Sequence, residues 1–211
     1  MKLYSAMYGD WHPMDMFFPQ ATCLVVSQEG LMDEPGFLIL HGGADIDPAL
    51  YKRGRSSKSH HRGFNGRDDI EMALIREAQN KNIPIVGWCR GAQLMCAAAG
   101  GYLIQDISGH GCYTGHIVTT EDGEQFHTNT LHHQMQAPWN IEHKLLASTP
   151  ERHSDHYLDE DSHVEVPCEV EAVFYPQLKG LGFQWHPEMM SHTSRASKWI
   201  YTQIGKYLNA P

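Results

Sequence analysis

The segment Ile85-Val86-Gly87-Trp88-Cys89-Arg90-Gly91-Ala92-Gln93 constrains this chain more than any other. The apolar run Ile83-Pro84-Ile85-Val86 has the character of a buried strand, and the small-residue stretch from Gly91 to Gly101 that of a helix. Between them stands a G-x-C-x-G pattern, the counterpart with sulfur of the G-x-S-x-G nucleophile elbow. A turn this sharp forces its central residue into strained backbone, and flanking glycines let neighbouring backbone approach closely. The Cys89 side chain would then stand over the C-terminal edge of a sheet, where open α/β sheets bind ligands. A thiol at a helix N-terminus is also favoured as thiolate. A buried structural cysteine beside packing glycines has the same local pattern, so the rest of the chain has to decide.

The surrounding pattern agrees with an α/β chain. Lys2 to Tyr8 and Ala21 to Ser27 read as short strands separated by a Pro- and aromatic-rich loop from Trp11 to Pro19. Phe37-Leu38-Ile39-Leu40 is continuously apolar, as a strand buried on both faces would be. Lys52 to Gly66 is basic and polar and reads as a solvated loop. From Arg67 to Lys81, Ile70, Ala73, Leu74 and Ala78 repeat at helical spacing, with Asp68 and Asp69 at the favourable N-terminal end. Strand, helix, strand, helix in that order predicts a parallel sheet covered on both faces, and Tyr102 to Ile107 is expected to continue it. The second half reads as short strands at His116 to Thr120, Leu145 to Ser148, Val164 to Tyr175 and Gly182 to Trp185, closed by a helix from Ser194 to Leu208. Glu165 to Glu171 alternates as a half-wet strand would. With no linker or internal repeat, residues 1–211 are expected to form one domain.

Two further motifs turn the elbow toward chemistry. Gly42-Gly43 ends the Phe37–Leu40 run, so its backbone N–H groups, together with that of Arg90, could form an oxyanion hole. In Gln184-Trp185-His186-Pro187-Glu188, His186 and Glu188 are two apart and share a face of an extended backbone. Glu188 can then accept from one imidazole nitrogen while the other faces the thiol, which makes Cys89 nucleophile, His186 base and Glu188 orienter.

Composition removes other classes. Lys+Arg 16 against Asp+Glu 25 gives −9, with no basic cluster to mark a nucleic-acid partner. No apolar run approaches a membrane span, and no apolar signal core follows Met1-Lys2, so a cytoplasmic location is expected. The five cysteines are odd in number and form no C-x-x-C pair. The 15 histidines include no H-E-x-x-H, so surface or hydrogen-bonded imidazoles are expected, and no metal.

On these motifs the chain resembles the class I (triad-type) glutamine amidotransferase superfamily, and within it the γ-glutamyl-γ-aminobutyrate hydrolase-like branch. Gly42 to Tyr51 is similar to that branch's Gly-Gly-x-Asp-(aliphatic)-x-Pro-x-x-Tyr signature. Arg67-Asp68, Gly87 to Gln93 and Gly100 to Ile107 match the central block, Asn129 to Gln134 resembles Asn-Ser-x-His-His-Gln, and Gly182 to Glu188 is the closing motif. The resemblance implies a three-layer, flavodoxin-like sandwich with a mostly parallel central sheet. It makes Cys89, His186 and Glu188 catalytic and gives Gly43 and Arg90 the oxyanion hole. Gln93, His132 and His133 would hold the substrate, with no metal and no cofactor.

The implied partner is glutamine or a small γ-glutamyl amine, cleaved through a glutamyl thioester. The alternative is a glutaminase subunit feeding ammonia to a separate synthetase or ligase, because 211 residues leave no room for an acceptor domain. A homodimer is left open. Trp88, Cys96 and Thr130 depart from the family's usual small aliphatic residue, Asn and Ser. Trp88 is expected to alter the pocket wall beside the nucleophile, and Cys96 to belong to the core.

Overall fold

The computed structural model describes residues 2–6, 22–25, 34–60, 66–111 and 114–208. Its first strands are β1 (Lys2–Ser5), β2 (Thr22–Val25), β3 (Gly36–Leu40) and β4 (Ile85–Trp88). Then come β5 (Tyr102–Ile104), β6 (Asp106–Ile107), β7 (His116–Thr120), β8 (Gln125–Thr128), β9 (Met135–Ala137) and β10 (Lys144–Ser148). The last are β11 (Tyr157–Asp159), β12 (Ser162–His163), β13 (Val170–Tyr175) and β14 (Gly180–Phe183). Helices are α1 (Arg67–Asn80), α2 (Arg90–Ala98) and α3 (Arg195–Leu208).

The apolar run in β3 serves both faces of the sheet. Leu38 and Leu40 pack into one apolar layer, Phe37 and Ile39 into the other, and all four are buried. β4 repeats this, with Ile85 in the first layer and Val86 and Trp88 in the second. Such strands need cover on both sides. Leu74 and Ile75 of α1 and Leu94 and Met95 of α2 cover the first face, while Trp199, Ile200 and Ile204 of α3 cover the second.

The main sheet runs β2-β1-β3-β4-β14-β13-β10-β7-β8, parallel from β2 to β14 and antiparallel from there on. The change of sense follows from connection length: the crossover through α1 links β3 to its parallel neighbour β4, whereas the short turn 176–179 folds β13 back on β14. The result is an α/β fold with one large mixed sheet. No helix among the described residues is long and apolar enough to cross a membrane.

Three expectations change. Tyr102 to Ile107 does not extend the main sheet: β5 pairs with β9, and β6 joins β11. The break falls at Gln105, fully buried, whose amide accepts from Ser56 N–H at 2.9 Å and donates to Gly54 O at 2.9 Å. Val164 to Tyr175 is a strand only from Val170, because Pro167 has no N–H to give and Glu169 is drawn toward the 149–157 loop. That carboxylate accepts from Thr149 Oγ1 at 2.9 Å, Tyr157 Oη at 2.7 Å and Ser154 N–H at 2.8 Å. The basic loop is docked over its described part rather than merely solvated: Arg53 pairs with Asp159 at 2.8 Å, and Ser57 N–H donates to Asp161 at 2.9 Å. Its residues 61–65 and the loop from Trp11 to Pro19 lie outside the described residues.

Candidate functional site

Cys89 joins β4 to α2 with φ 51° and ψ −115°, a conformation outside the ordinary L-residue regions. Its neighbours have to be glycine. A Cβ on Gly91 would sit 2.1 Å from the Leu40 carbonyl oxygen, and one on Gly87 would sit 2.8 Å from Gly91 backbone and from Met95 Sδ. Removing both side chains lets α2 start hard against β3 and β4. The Cys89 N–H donates to Phe183 O at 2.8 Å, so the turn is held by the end of β14.

β14 delivers the second group, since the chain leaving it carries His186 within three residues. His186 Nδ1 and Glu188 Oε1 share a hydrogen bond of 2.6 Å. Burial works against a charged ring, but the neighbouring Cys89 and the hydrogen bond with Glu188 outweigh it and push the His186 pKa up to about 10. The backbone of His186 is clamped from both sides by Asn129, which accepts from its N–H and donates to its carbonyl, each at 2.8 Å.

The Gly42-Gly43 turn meets the same place. A Cβ on Gly42 would lie 2.7 Å from His186 Cε1 and 3.6 Å from Cys89 Cβ. Arg67, at the start of α1, donates to His41 O at 2.9 Å and Gly42 O at 3.1 Å, and its Nε donates to Glu71 at 3.0 Å. In a planar trans peptide the carbonyl and the following N–H point oppositely. Holding Gly42 O therefore sets the direction of the Gly43 N–H. Arg90, first residue of α2, contributes an N–H outside the helical ladder, while its buried guanidinium pairs with Asp68 and Glu71. Neither arginine network was legible in the sequence. The spacing of Arg67 and Glu71, four apart on a helix, was the one available signal.

The remaining predicted residues are engaged within the protein. Gln93 donates to Gln134 O at 3.0 Å, tying α2 to the 129–134 segment. His133 stands between Asp45, at 3.0 Å, and Asp106, at 3.2 Å; although burial opposes it, these carboxylates raise its pKa. His132 is buried, with Nδ1 donating to Gln134 O at 2.9 Å. Burial and the neighbouring His110 push its pKa well down, which keeps the ring neutral. Trp88 does not form an open wall. Its indole is enclosed in the layer under α3, with His41 edge-on at 5.0 Å. Cys96 is fully buried beside the Tyr102 carbonyl at 3.3 Å, and burial raises its pKa to about 11.

Two groups of side chains in the described residues have donor sets that suit a cation, Asp45 with His60 and His133, and His110 with His132 and Glu171. In the first, the Asp45 oxygens already accept from His60 N–H at 2.6 Å and Gln134 Nε2 at 3.1 Å as well as from His133. That group is a hydrogen-bonded brace for the loop after Gly43.

The family profile and the relatives of the chain set it in the class I glutamine amidotransferase superfamily, and solved structures share its fold. A glutamine amidotransferase of Thermotoga maritima matches with a TM-score of 0.61 at 15% identity, over 100% of this chain and 86% of that one. PurLQS of the same organism matches with a TM-score of 0.57 at 14% identity, over 98% of each chain. The chain belongs to the peptidase C26 family, whose profile matches residues 26–188. Among relatives, the glutamine amidotransferase-like protein YvdE of Lactococcus lactis is 30% identical over 78% of this chain and 70% of its own length. NtpR of Enterococcus hirae is 31% identical over 79% of this chain and 72% of its own. Rv2859c of Mycobacterium tuberculosis is 32% identical over 84% of this chain, which spans 58% of that protein.

Proposed function

We propose that the chain, acting as one unit, hydrolyses the γ-amide of glutamine or of small γ-glutamyl amines, as in the γ-glutamyl-γ-aminobutyrate hydrolase-like branch. The observation that carries this is the strained Cys89 at the elbow, brought with His186 against the same Gly42 backbone, while His186 Nδ1 is held by Glu188 at 2.6 Å. The Cys89 thiolate attacks the γ-carbonyl carbon, and a C–S bond forms. The N–H groups of Gly43 and Arg90 stabilise the oxyanion, for which removal of one such donor typically costs about 10²–10³ in rate. The protonated His186 gives its proton to the departing amine as the C–N bond breaks. His186, now neutral, takes a proton from water, which attacks the thioester; the C–S bond breaks and glutamate leaves.

Gln93, His132 and His133 support the walls of this site through the 129–134 segment. The chemistry asks for no organic cofactor, and a location in the cytoplasm goes with it. The test is a panel of glutamine and γ-glutamyl amines, read by released amine and by intact-protein mass. Turnover by the chain alone, with a glutamyl adduct on Cys89 and none in Cys89→Ser, is the expected result. Equal behaviour of the wild type and Cys89→Ser would overturn the assignment. An adduct that forms but turns over only when a synthetase or ligase is added would replace the free-standing hydrolase by a glutaminase subunit.

A further inference from the structure

Behind the segment that carries Asn129, five ionisable side chains are gathered in the protein interior. His110, His132 and Glu171 come from three distant parts of the chain, and His116 and Glu169 border them. All five are more than nine-tenths buried. One donor atom from each of His110, His132 and Glu171 lies within 4.8 Å of the others.

Their hydrogen bonds are arranged in a telling way. His132 uses Nδ1 on the Gln134 carbonyl at 2.9 Å, so its Nε2 carries a lone pair, and that atom is buried with no hydrogen-bond partner. Glu171 uses Oε1 on His116 at 2.9 Å, and its Oε2 is buried with no hydrogen-bond partner. His110 has Nε2 at 3.1 Å from Glu169 and Nδ1 at 3.6 Å from Glu171, and neither nitrogen makes an aligned hydrogen bond. His132 and Glu171 are thus each oriented by an outer partner on one atom and keep another atom free, and His110 stands between them with both ring nitrogens unbonded. Histidine ligands of metals are held in this manner, with the second ring nitrogen on a carboxylate or carbonyl.

We propose that His110, His132 and Glu171 bind a first-row divalent metal ion, with Glu169, His116 and the Gln134 carbonyl as the outer partners. Two imidazoles and a carboxylate form a set that zinc accepts, at bond lengths of about 2.0–2.2 Å. Ligands of such an ion stand about 3.4 Å apart, so the three side chains close by on the order of 1 Å through small rotations. The ion fastens the turn before β7, the 129–134 segment and β13 to one another. Since Asn129 belongs to that segment and grips the His186 backbone, the ion braces the site without touching Cys89. The absence of H-E-x-x-H or C-x-x-C spacing, from which no metal was expected, does not bear on a site assembled from residues 110, 132 and 171.

The probe is Zn²⁺ itself. The full chain is stripped with chelator, reloaded with a slight excess, passed through a desalting column and assayed for metal content. About one zinc per chain and a rise in Tm on loading are expected. His110→Ala and Glu171→Gln should each weaken binding at least about 100-fold, while exposed His192→Ala should bind as the wild type does. Cys89→Ser separates this site from the thiol and should keep its zinc.

Because a core variant can fail to fold, Co²⁺ loading of the wild type supplies an independent measurement. A nitrogen/oxygen-coordinated cobalt spectrum without a thiolate charge-transfer band is expected. Zinc content near zero, zinc lost in Cys89→Ser, zinc retained in both folded ligand variants, or a thiolate band would each overturn the proposal. All of these are read without substrate, so they stand or fall separately from the hydrolase reading.

Discussion

Arg67 offers a sharp test of how the proposed oxyanion hole is built, because it grips the carbonyls of His41 and Gly42. Its guanidinium donates to His41 O at 2.9 Å, Gly42 O at 3.1 Å and Glu71 at 3.0 Å. In Arg67→Lys the charge stays, but a single ammonium has no planar fork with which to span two carbonyls and a carboxylate. The Gly42–Gly43 peptide is then free to rotate, and the Gly43 N–H loses its aim. Full loss of one oxyanion donor costs about 2.7–4 kcal/mol. A loosened donor should cost about half of that, roughly 2 kcal/mol, which is about 30-fold in rate. Two charge-assisted bonds are lost as well, so stability should fall by about 3 kcal/mol.

The assay is single-turnover acylation of Cys89, followed by mass, at a temperature where circular dichroism shows the variant folded. Acylation about 30-fold slower with substrate affinity little changed is expected. Acylation within about threefold of the wild type, in a folded Arg67→Lys, would refute the argument that the arginine aims the Gly43 N–H.

Three other outcomes follow from the same geometry. Glu188 helps raise the His186 pKa to about 10, and in the proposed reaction protonated His186 expels the amine. The wild-type acylation rate should therefore fall as pH rises through about 10, and Glu188→Gln should move that limb to lower pH while cutting kcat by about 10²–10⁴, as expected for a lost orienter; an unmoved limb in the pH–rate profile would count against the pairing. Gly91→Ala sets a Cβ 2.1 Å from Leu40 O, a backbone atom that cannot rotate away. It should cost about 3 kcal/mol or more in urea unfolding, the upper range for overpacking, and a loss below about 1 kcal/mol would contradict it. Finally, at φ 51° and ψ −115° a residue without Cβ is relieved of strain, so Cys89→Gly should be about 1 kcal/mol more stable than Cys89→Ala by the same measurement, with neither turning over.

What could be read in advance was local. Phe37 to Leu40 is apolar at every position because both faces of β3 are covered, and that run needs no partner to be recognised. The helical spacing in α1 and the Gly-x-Cys-x-Gly turn are legible for the same reason: strand, helix and sharp turn each impose a constraint within a few residues. His186 and Glu188 fall together because two residues of extended chain bring them to one face. Glu165 to Glu171, by contrast, alternates as a strand does and is not one up to Glu169, since the strand signal ignores what an acidic side chain finds across the fold. Tyr102 to Ile107 was misplaced on the same ground, because the burial of Gln105 depends on Ser56 and Gly54.

The sequence by itself determined that a cysteine would stand at a strained strand-to-helix turn in an α/β chain, with a histidine–carboxylate pair available to it. Tertiary structure alone decided that Arg67 would hold the Gly42 carbonyl, that Asn129 would grip His186, and that His110, His132 and Glu171 would turn unpaired atoms toward one another. The physical reason is range. Backbone sterics and apolar periodicity act within a few residues and leave a pattern in the chain, whereas hydrogen bonds and electrostatic contacts between segments dozens of residues apart depend on how the sheet is ordered, and no local pattern records that order.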